Sequence, residues 1–213
     1  MLNLILLAAL SLFIIHRLIM VLGKEQGQSR TPEVKPTTDS LEKEVAQAKD
    51  ADFEVIPPEE ASLSDNIKAV FETLRKKDKG FNAKTFIDGA SKAFEMIIDA
   101  VNHYYVDVLK ELLEYKLYKQ FVGELSKRHN HGPKYEATLV KIKNIEILDA
   151  YIKSEMAYIK VKINSQQIIL TKDKEGKIID GKPDEILDIS DIWTFWKKVK
   201  EKDYWELMET SSK

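Results

Sequence analysis

An α+β domain on a membrane anchor is the fold class that the sequence predicts, and three observations predict it. A predominantly apolar run extends from Leu2 to Leu22. From Ser62 to Arg128 apolar residues recur at the three- and four-residue spacing of helices. After Pro133 the spacing changes to two, the alternation of strands. The expected order is a transmembrane anchor at 1–22, a disordered linker at 23–61, an amphipathic helix at 62–80 and a domain at 81–213. In that domain, helices pack on a four-stranded, mostly antiparallel sheet.

As a helix rising ~1.5 Å per residue, the first run is roughly 31 Å long, close to the ~30 Å hydrocarbon core of a bilayer. Fourteen of its residues are Leu, Ile, Phe or Val. Each favours insertion by ~0.3 to 0.6 kcal/mol, against ~2.5 to 3.5 for a central arginine, so the sum favours insertion even with Arg17 present. Arg17 stands close enough to the end of the run for its stem to carry the guanidinium to the headgroups. A cleaved signal peptide would show a basic segment before the run and a small-x-small site after it, and neither is there. Arg17, Lys24 and Arg30 lie at or beyond the far end, so the expected topology places the N-terminus outside and the C-terminal domain in the cytoplasm. The run is not Arg- and Ser-rich as a mitochondrial presequence would be, which points to a bacterial inner membrane.

Composition narrows the chemistry. The chain has no cysteine, which excludes disulfides, thiolate metal sites and cysteine nucleophiles. Lys+Arg 33 against Asp+Glu 35 leaves a net charge of -2, too balanced to draw the whole molecule onto nucleic acid.

Gly23 to Ala61 lacks apolar periodicity and is rich in Gly, Gln, Ser, Thr, Pro and Glu, the composition of a linker. Asp39 and Glu42 have capping-box spacing, but the apolar stripe of Asp39 to Asp50 is thin. A first ordered helix is expected from Ser62, with Asp65 three residues on and Leu63, Ile67, Val70, Phe71 and Leu74 on one face. Its far end is basic, with Arg75, Lys76, Lys77 and Lys79 as candidate lipid contacts. The plainer expectation is that this helix docks on its own domain. A second helix is expected after Asn82, with Phe86, Ala90, Ala93, Phe94, Ile97 and Val101 on one face. Two more follow, from Val106 to Leu113 and from Tyr115 to Arg128, the latter closed by Gly132 and Pro133.

Strands are expected at Tyr135 to Leu148, Glu155 to Leu170, Ile189 to Val199 and Tyr204 to Thr210. Asp173 to Lys177 and Asp180 to Pro183 read as turns. In the second strand Ala157, Ile159, Val161 and Ile163 share a face. In the third, Trp193 and Phe195 point one way and Ile192 and Trp196 the other, so both faces of the sheet carry large apolar groups.

With these residues in place, the chain resembles the Tim44-like domain family, most closely its membrane-anchored alphaproteobacterial (TimA) type. The resemblance rests on RLIMVLGKEQG at the end of the first run, on Phe86, Gly89, Ala90, Ala93, Phe94 and Glu95, and on Tyr118, Phe121, Arg128 and Gly132. Its most specific part runs from Asp173, Gly176, Gly181 and Pro183 through Asp191, Ile192, Trp193, Thr194 and Phe195 to Trp205 and Leu207. Three departures stand out. Tyr104 and Tyr105 replace a usual Gly-Asp, Asp203 and Tyr204 replace a Pro-Asn, and Trp196 and Lys197 stand where an Arg is common. They are expected at turns or on exposed faces. The resemblance implies a cystatin-like domain, with helices on a curved sheet enclosing an apolar pocket. It also implies a role beside a membrane, as in the mitochondrial relative that tethers the import motor's chaperone to a protein-conducting channel.

Catalysis has few candidates. Asp191 shares a face with Trp193 and Phe195, where desolvation would raise a carboxyl's pKa toward that of a general base, but no His or second acid falls beside it in the pattern. A solvated Asp at the strand entry is the simpler reading. His103 is expected at a helix end, and His129 and His131 flank a helix exit without a third metal ligand. No phosphate loop or nucleophile elbow is present. The reading is therefore a non-enzymatic, cofactor-free, single-pass adaptor for protein translocation or membrane-protein assembly. Its partner is a translocase or chaperone, with anionic lipid as a further contact. Phe94, Ile98, Phe121, Trp193, Phe195 and Trp205 are candidate pocket or partner residues, and Trp196 and Tyr204 join Trp205 as aromatic anchors where exposed. The alternative is a tethered carrier of an acyl chain or other apolar ligand.

Overall fold

The computed structural model describes residues 60–131, 133–199 and 204–212. The expected anchor and nearly all of the expected linker lie outside them. Among the described residues, no helix is long and apolar enough to cross a membrane.

Among the described residues, four α-helices precede the sheet. Helix α1 is Asp65–Lys77, preceded by a single 3-10 turn at Glu60–Ser62. Ser62 belongs to that turn, so the helix is capped not by Ser62 but by Ser64, whose hydroxyl accepts from the Ile67 amide at 3.5 Å. Ile67, Phe71 and Leu74 of α1 are buried. Helix α2, Ala83–His103, starts where expected because the Asn82 side chain accepts from the Lys84 amide at 2.8 Å. It buries Phe86, Ile87, Ala90, Phe94, Ile97 and Ala100, while Ala93 and Val101 pack at the margin of the core. Helix α3 is Val106–Leu112 and helix α4 is Tyr115–His131, three residues longer than its apolar pattern indicated. The Glu114 carboxylate caps α4, accepting from the amides of Lys116 at 2.8 Å and Leu117 at 3.3 Å.

The turn between α2 and α3 accounts for one departure noted in the sequence. Tyr104 adopts a left-handed φ of 60° at the C-cap of α2, a conformation in which glycine is the least strained residue. Tyr104 is half-buried rather than exposed, and its hydroxyl shares a 2.6 Å hydrogen bond with Ser126 Oγ on α4.

The sheet has five strands, not four: β1 Lys134–Lys153, β2 Met156–Lys172, β3 Ile178–Asp180, β4 Leu187–Lys198 and β5 Glu206–Ser212. Their order is β1-β2-β4-β5, with β3 also on β2, and every strand pair is antiparallel. The first hairpin is longer than the sequence suggested. β1 runs on to Lys153 and β2 begins at Met156, so Glu155 lies in the turn and not in the strand. Ser154 and Glu155 form the whole connection, with φ of 50° and 65°. Two positive φ values are what a two-residue hairpin loop requires, and usually Asn-Gly or Asp-Gly supplies them.

β3 is the unexpected strand. The Asp173–Lys177 turn closes through Asp173 N to Lys177 O at 2.9 Å and brings Ile178–Asp180 back onto Thr171 and Lys172. β4 reaches only as far as Gln167 of β2, so β3 occupies the length that β4 leaves free. Gly181 permits this arrangement. Its φ is 87°, and a Cβ there would stand 2.2 Å from the Ile169 carbonyl oxygen.

The core lies between the helices and one face of the sheet. Ala157, Ile159, Val161 and Ile163 all point into it and are fully buried, as the alternation of β2 predicted. On β1, bulges at 139/141, 142/144 and 147/149 break the period, so Ile145, Ile147 and Ala150 all face inward.

Candidate functional site

Four of the six candidate pocket or partner residues belong to one chain of rings between helices and sheet. Phe71 of α1 meets Phe81 at 5.0 Å between centroids, Phe81 meets Trp205 at 6.2 Å, and Trp205 meets Phe86 of α2 at 5.0 Å. Phe86 then contacts Phe195 at 5.8 Å, Phe195 contacts Trp193 at 6.1 Å, and Trp193 contacts Phe94 at 4.8 Å. All six pairs are edge-on or tilted, the geometry that places a ring's positive edge against a neighbour's negative face, worth ≈ 0.5–1.5 kcal/mol per pair beyond burial. Phe94, Trp193 and Phe195 are buried, and Trp205 is half-buried. The other two candidates, Ile98 and Phe121, pack half-buried against this core.

The basic end of α1 divides into two kinds of residue. Lys76, Lys77 and Lys79 are exposed, whereas Arg75 is half-buried and bonded to Glu60. Between them, Asp78 ends the helix and turns toward the sheet, where its carboxylate receives Lys197 Nζ at 2.6 Å. The Lys197 side chain is only 8% exposed. Its expected place on an exposed face is thus corrected: position 197 shares the inward register of Trp193 and Phe195, and the ammonium is tolerated there because Asp78 neutralises it. The Lys197 hydrogen bond and charge, with the Gly80 amide, outweigh burial and hold the Asp78 carboxyl below the usual carboxylate range. The pair ties α1 to β4.

The outer face of the sheet has two halves. At one end is a polar network. Asn164 donates to Asn144 at 2.7 Å and to Glu146 at 3.1 Å, Ser190 donates to Asn164 at 2.9 Å, and Lys162 pairs with Glu146 at 3.6 Å. Further along, hydrogen bonds from Gln166 and Lys143 keep the exposed Asp188 carboxyl below its usual range. At the other end Tyr151 of β1 stacks on Tyr158 of β2 at 4.7 Å and 16°, and Trp196 of β4 stands in register beside Tyr158. Burial, with Tyr158, Glu209 and Asp149 as neighbours, raises the pKa of the Tyr151 phenol. Sequence reasoning named Trp196 but missed the tyrosine pair, because its register depends on the unrecognised turn at Ser154 and Glu155.

Asp191 is half-buried, and its cross-strand neighbours are Ile163 and Ser212, neither of which titrates. Tyr204 is exposed. His103 is the last residue of α2, its ring 3.0 Å from Asp99 Oδ1 and stacked on Tyr105 at 5.3 Å. The side chains of His129 and His131 lie outside the described residues. Among the described residues, no group of three or more His, Asp or Glu side chains converges on one point.

Residues 67–212 match the family described as Tim44-like domain. Three curated proteins are similar over shorter or longer stretches. An uncharacterized protein of Rickettsia prowazekii is 24% identical over 217 residues, covering 94% of this chain and 92% of that protein. The mitochondrial import inner membrane translocase subunit TIM44 of Rattus norvegicus is 20% identical over 119 residues, and subunit TIM44-1 of Arabidopsis thaliana 19% over 125. These two matches cover 54% and 59% of this chain but only 26% of each translocase subunit. Among solved structures, the intermembrane space region of chloroplast protein ARC6 aligns with a TM-score of 0.45 at 14% identity, covering 62% of this chain and 96% of that one.

Proposed function

The chain belongs to the Tim44-like domain family, and from that premise we propose that it is a membrane-tethered adaptor in protein translocation or membrane-protein assembly. One observation carries the reading. The family match at 67–212 spans nearly the whole described fold, and two import-translocase subunits are similar to this chain over 119 and 125 residues. In this reading the run from Leu2 to Leu22 holds the chain in an inner membrane with the folded domain in the cytoplasm. The domain acts as a rigid body that presents surfaces, and Lys76, Lys77 and Lys79 meet anionic headgroups. Rigidity is supported by the ring chain and the Asp78–Lys197 tie. A carrier of an acyl chain would have to part Trp193 from Phe94 and Phe195, whose rings it meets; an adaptor asks for no such opening.

Crosslinking of the full-length chain in the membranes of cells that make it, followed by mass spectrometry, tests the proposal. The expected capture is a component of a translocation or insertion machinery. Replacing Lys76, Lys77 and Lys79 with Ser is expected to weaken retention on anionic vesicles, at about 1 kcal/mol per lysine near the surface. Capture of lipid alone would sink the adaptor, and recovery of the intact chain in the soluble fraction without detergent would sink the tether.

A further inference from the structure

β1 pairs with β2 from Lys134 opposite Lys172 to Lys153 opposite Met156, so β3 and β4 share the other side of β2. β5 pairs with β4 only from Asp191 to Trp196. Among the described residues, no strand lies beside Leu187–Ser190 on the side away from β2. This stretch offers roughly 13 Å of edge at ~3.3 Å per residue. Along the inward register of β4, Phe195 and Trp193 are 2% and 5% exposed, whereas Asp191, Ile189 and Leu187 are only half-buried. Ile186, just before the strand, is 49% exposed. The opposite edge of the sheet is guarded: β1 carries Lys134, Lys141, Lys143 and Lys153 and is bent by bulges, devices that hinder the pairing of a further strand. Leu187–Ser190 holds neither lysine nor proline and keeps an unbroken register with β2.

Charge selects what this edge can take. Between Asp180 and Asp188 the acids Asp180, Asp184, Glu185 and Asp188 stand against Lys182 alone. Lys143 of β1 pairs with Asp188 at 3.3 Å, while Asp184 and Glu185 are exposed. Such an edge repels an anionic lipid surface and the same edge of a second copy, and it attracts a basic strand. The alternation of β4 sets that strand's pattern: apolar side chains beside Leu187 and Ile189, basic ones beside Asp188. We propose that Leu187–Ser190 is an interaction edge that accepts an extended segment of a partner protein in which apolar and basic residues alternate, laid in the lane that β5 leaves open. The edge is short, so the association is of the transient class. That the segment belongs to a partner rests on the adaptor reading.

Amide hydrogen exchange of the full-length chain in a neutral detergent tests the proposal, with a blocked hexapeptide of alternating valine and lysine as the probe. The expected result is a several-fold slowing of exchange in Leu187–Ser190 and none in β1. The same peptide with every amide N-methylated keeps the charge but donates no backbone hydrogen bond, and it is expected to slow nothing. Asp184→Lys combined with Glu185→Lys, both at exposed positions, is expected to raise the peptide concentration for half-protection several-fold. Exchange in the β1–β2 pairing reports whether that variant is folded. No slowing in Leu187–Ser190 at millimolar peptide overturns the proposal. So does equal slowing by the N-methylated peptide, or a half-protection concentration indifferent to the two lysines. Any of these results removes this edge and leaves the adaptor standing, because crosslinking in membranes captures a partner held on any surface.

Discussion

On the covered face of β4, Trp193 and Phe195 are 5% and 2% exposed and sit in an unbroken series of ring contacts. One residue further, on the outer face, Trp196 stays half-buried beside a tyrosine pair. The covered face draws its order from apolar burial at about 25 cal/mol per Å2, which is non-directional and strong in sum. The polar half of the outer face draws its order from directional bonds, each with a net worth of ≈ 0.5–1.5 kcal/mol. One face is thus built to hold the fold, and the other is ordered by a polar network and the Tyr151–Tyr158 pair.

Four substitutions sharpen or break this comparison. Phe94→Ala, at the end of the ring chain, is expected to cost about 3–5 kcal/mol by chemical denaturation, the range for deleting a buried aromatic ring. A loss under about 1 kcal/mol would mean the covered face is looser than its ring contacts indicate. Next in size is Asp78→Asn, at about 2–3 kcal/mol, because it strands the buried Lys197 ammonium; Lys197→Met, which removes the charge that needs neutralising, should be nearly neutral. The pH dependence follows from the lowered Asp78 pKa. The pair's contribution is fully present above the ordinary carboxyl value of 3.8 and is lost as pH falls through the lower folded value. Acid titration of Lys197→Met should accordingly show less loss of stability across that window than the native chain. The smallest effect belongs to Asn164→Ala on the outer face, about 1 kcal/mol, with the covered face undisturbed. A cost as large as that of Phe94→Ala would erase the distinction between the faces.

The helical half was legible in the sequence because its signals are local. Asn82 caps α2 at 2.8 Å, and the apolar spacing of Phe86, Ala90, Phe94 and Ile97 is the face that α2 buries. The β2 alternation from Ala157 to Ile163 was equally plain. The hairpin end was not, because Ser154 and Glu155 carry positive φ without the glycine or asparagine that announces such a turn. β3 lies between the two turns that the sequence predicts, since three residues are too few for any period to register.

Residue type and spacing alone decided the α+β order, the starts of α2, α3 and α4 and the inward side of β2, because each depends on groups within a few positions along the chain. Which candidates would touch was decided only by the tertiary structure. It placed Asp78 against Lys197 across 119 positions of sequence and joined four predicted aromatics to Phe71, Phe81 and Phe86 in one series of rings. Pairings of that separation leave no trace in local periodicity: they form when strand register and helix docking bring distant residues to one place, and burial then makes each partner necessary to the other.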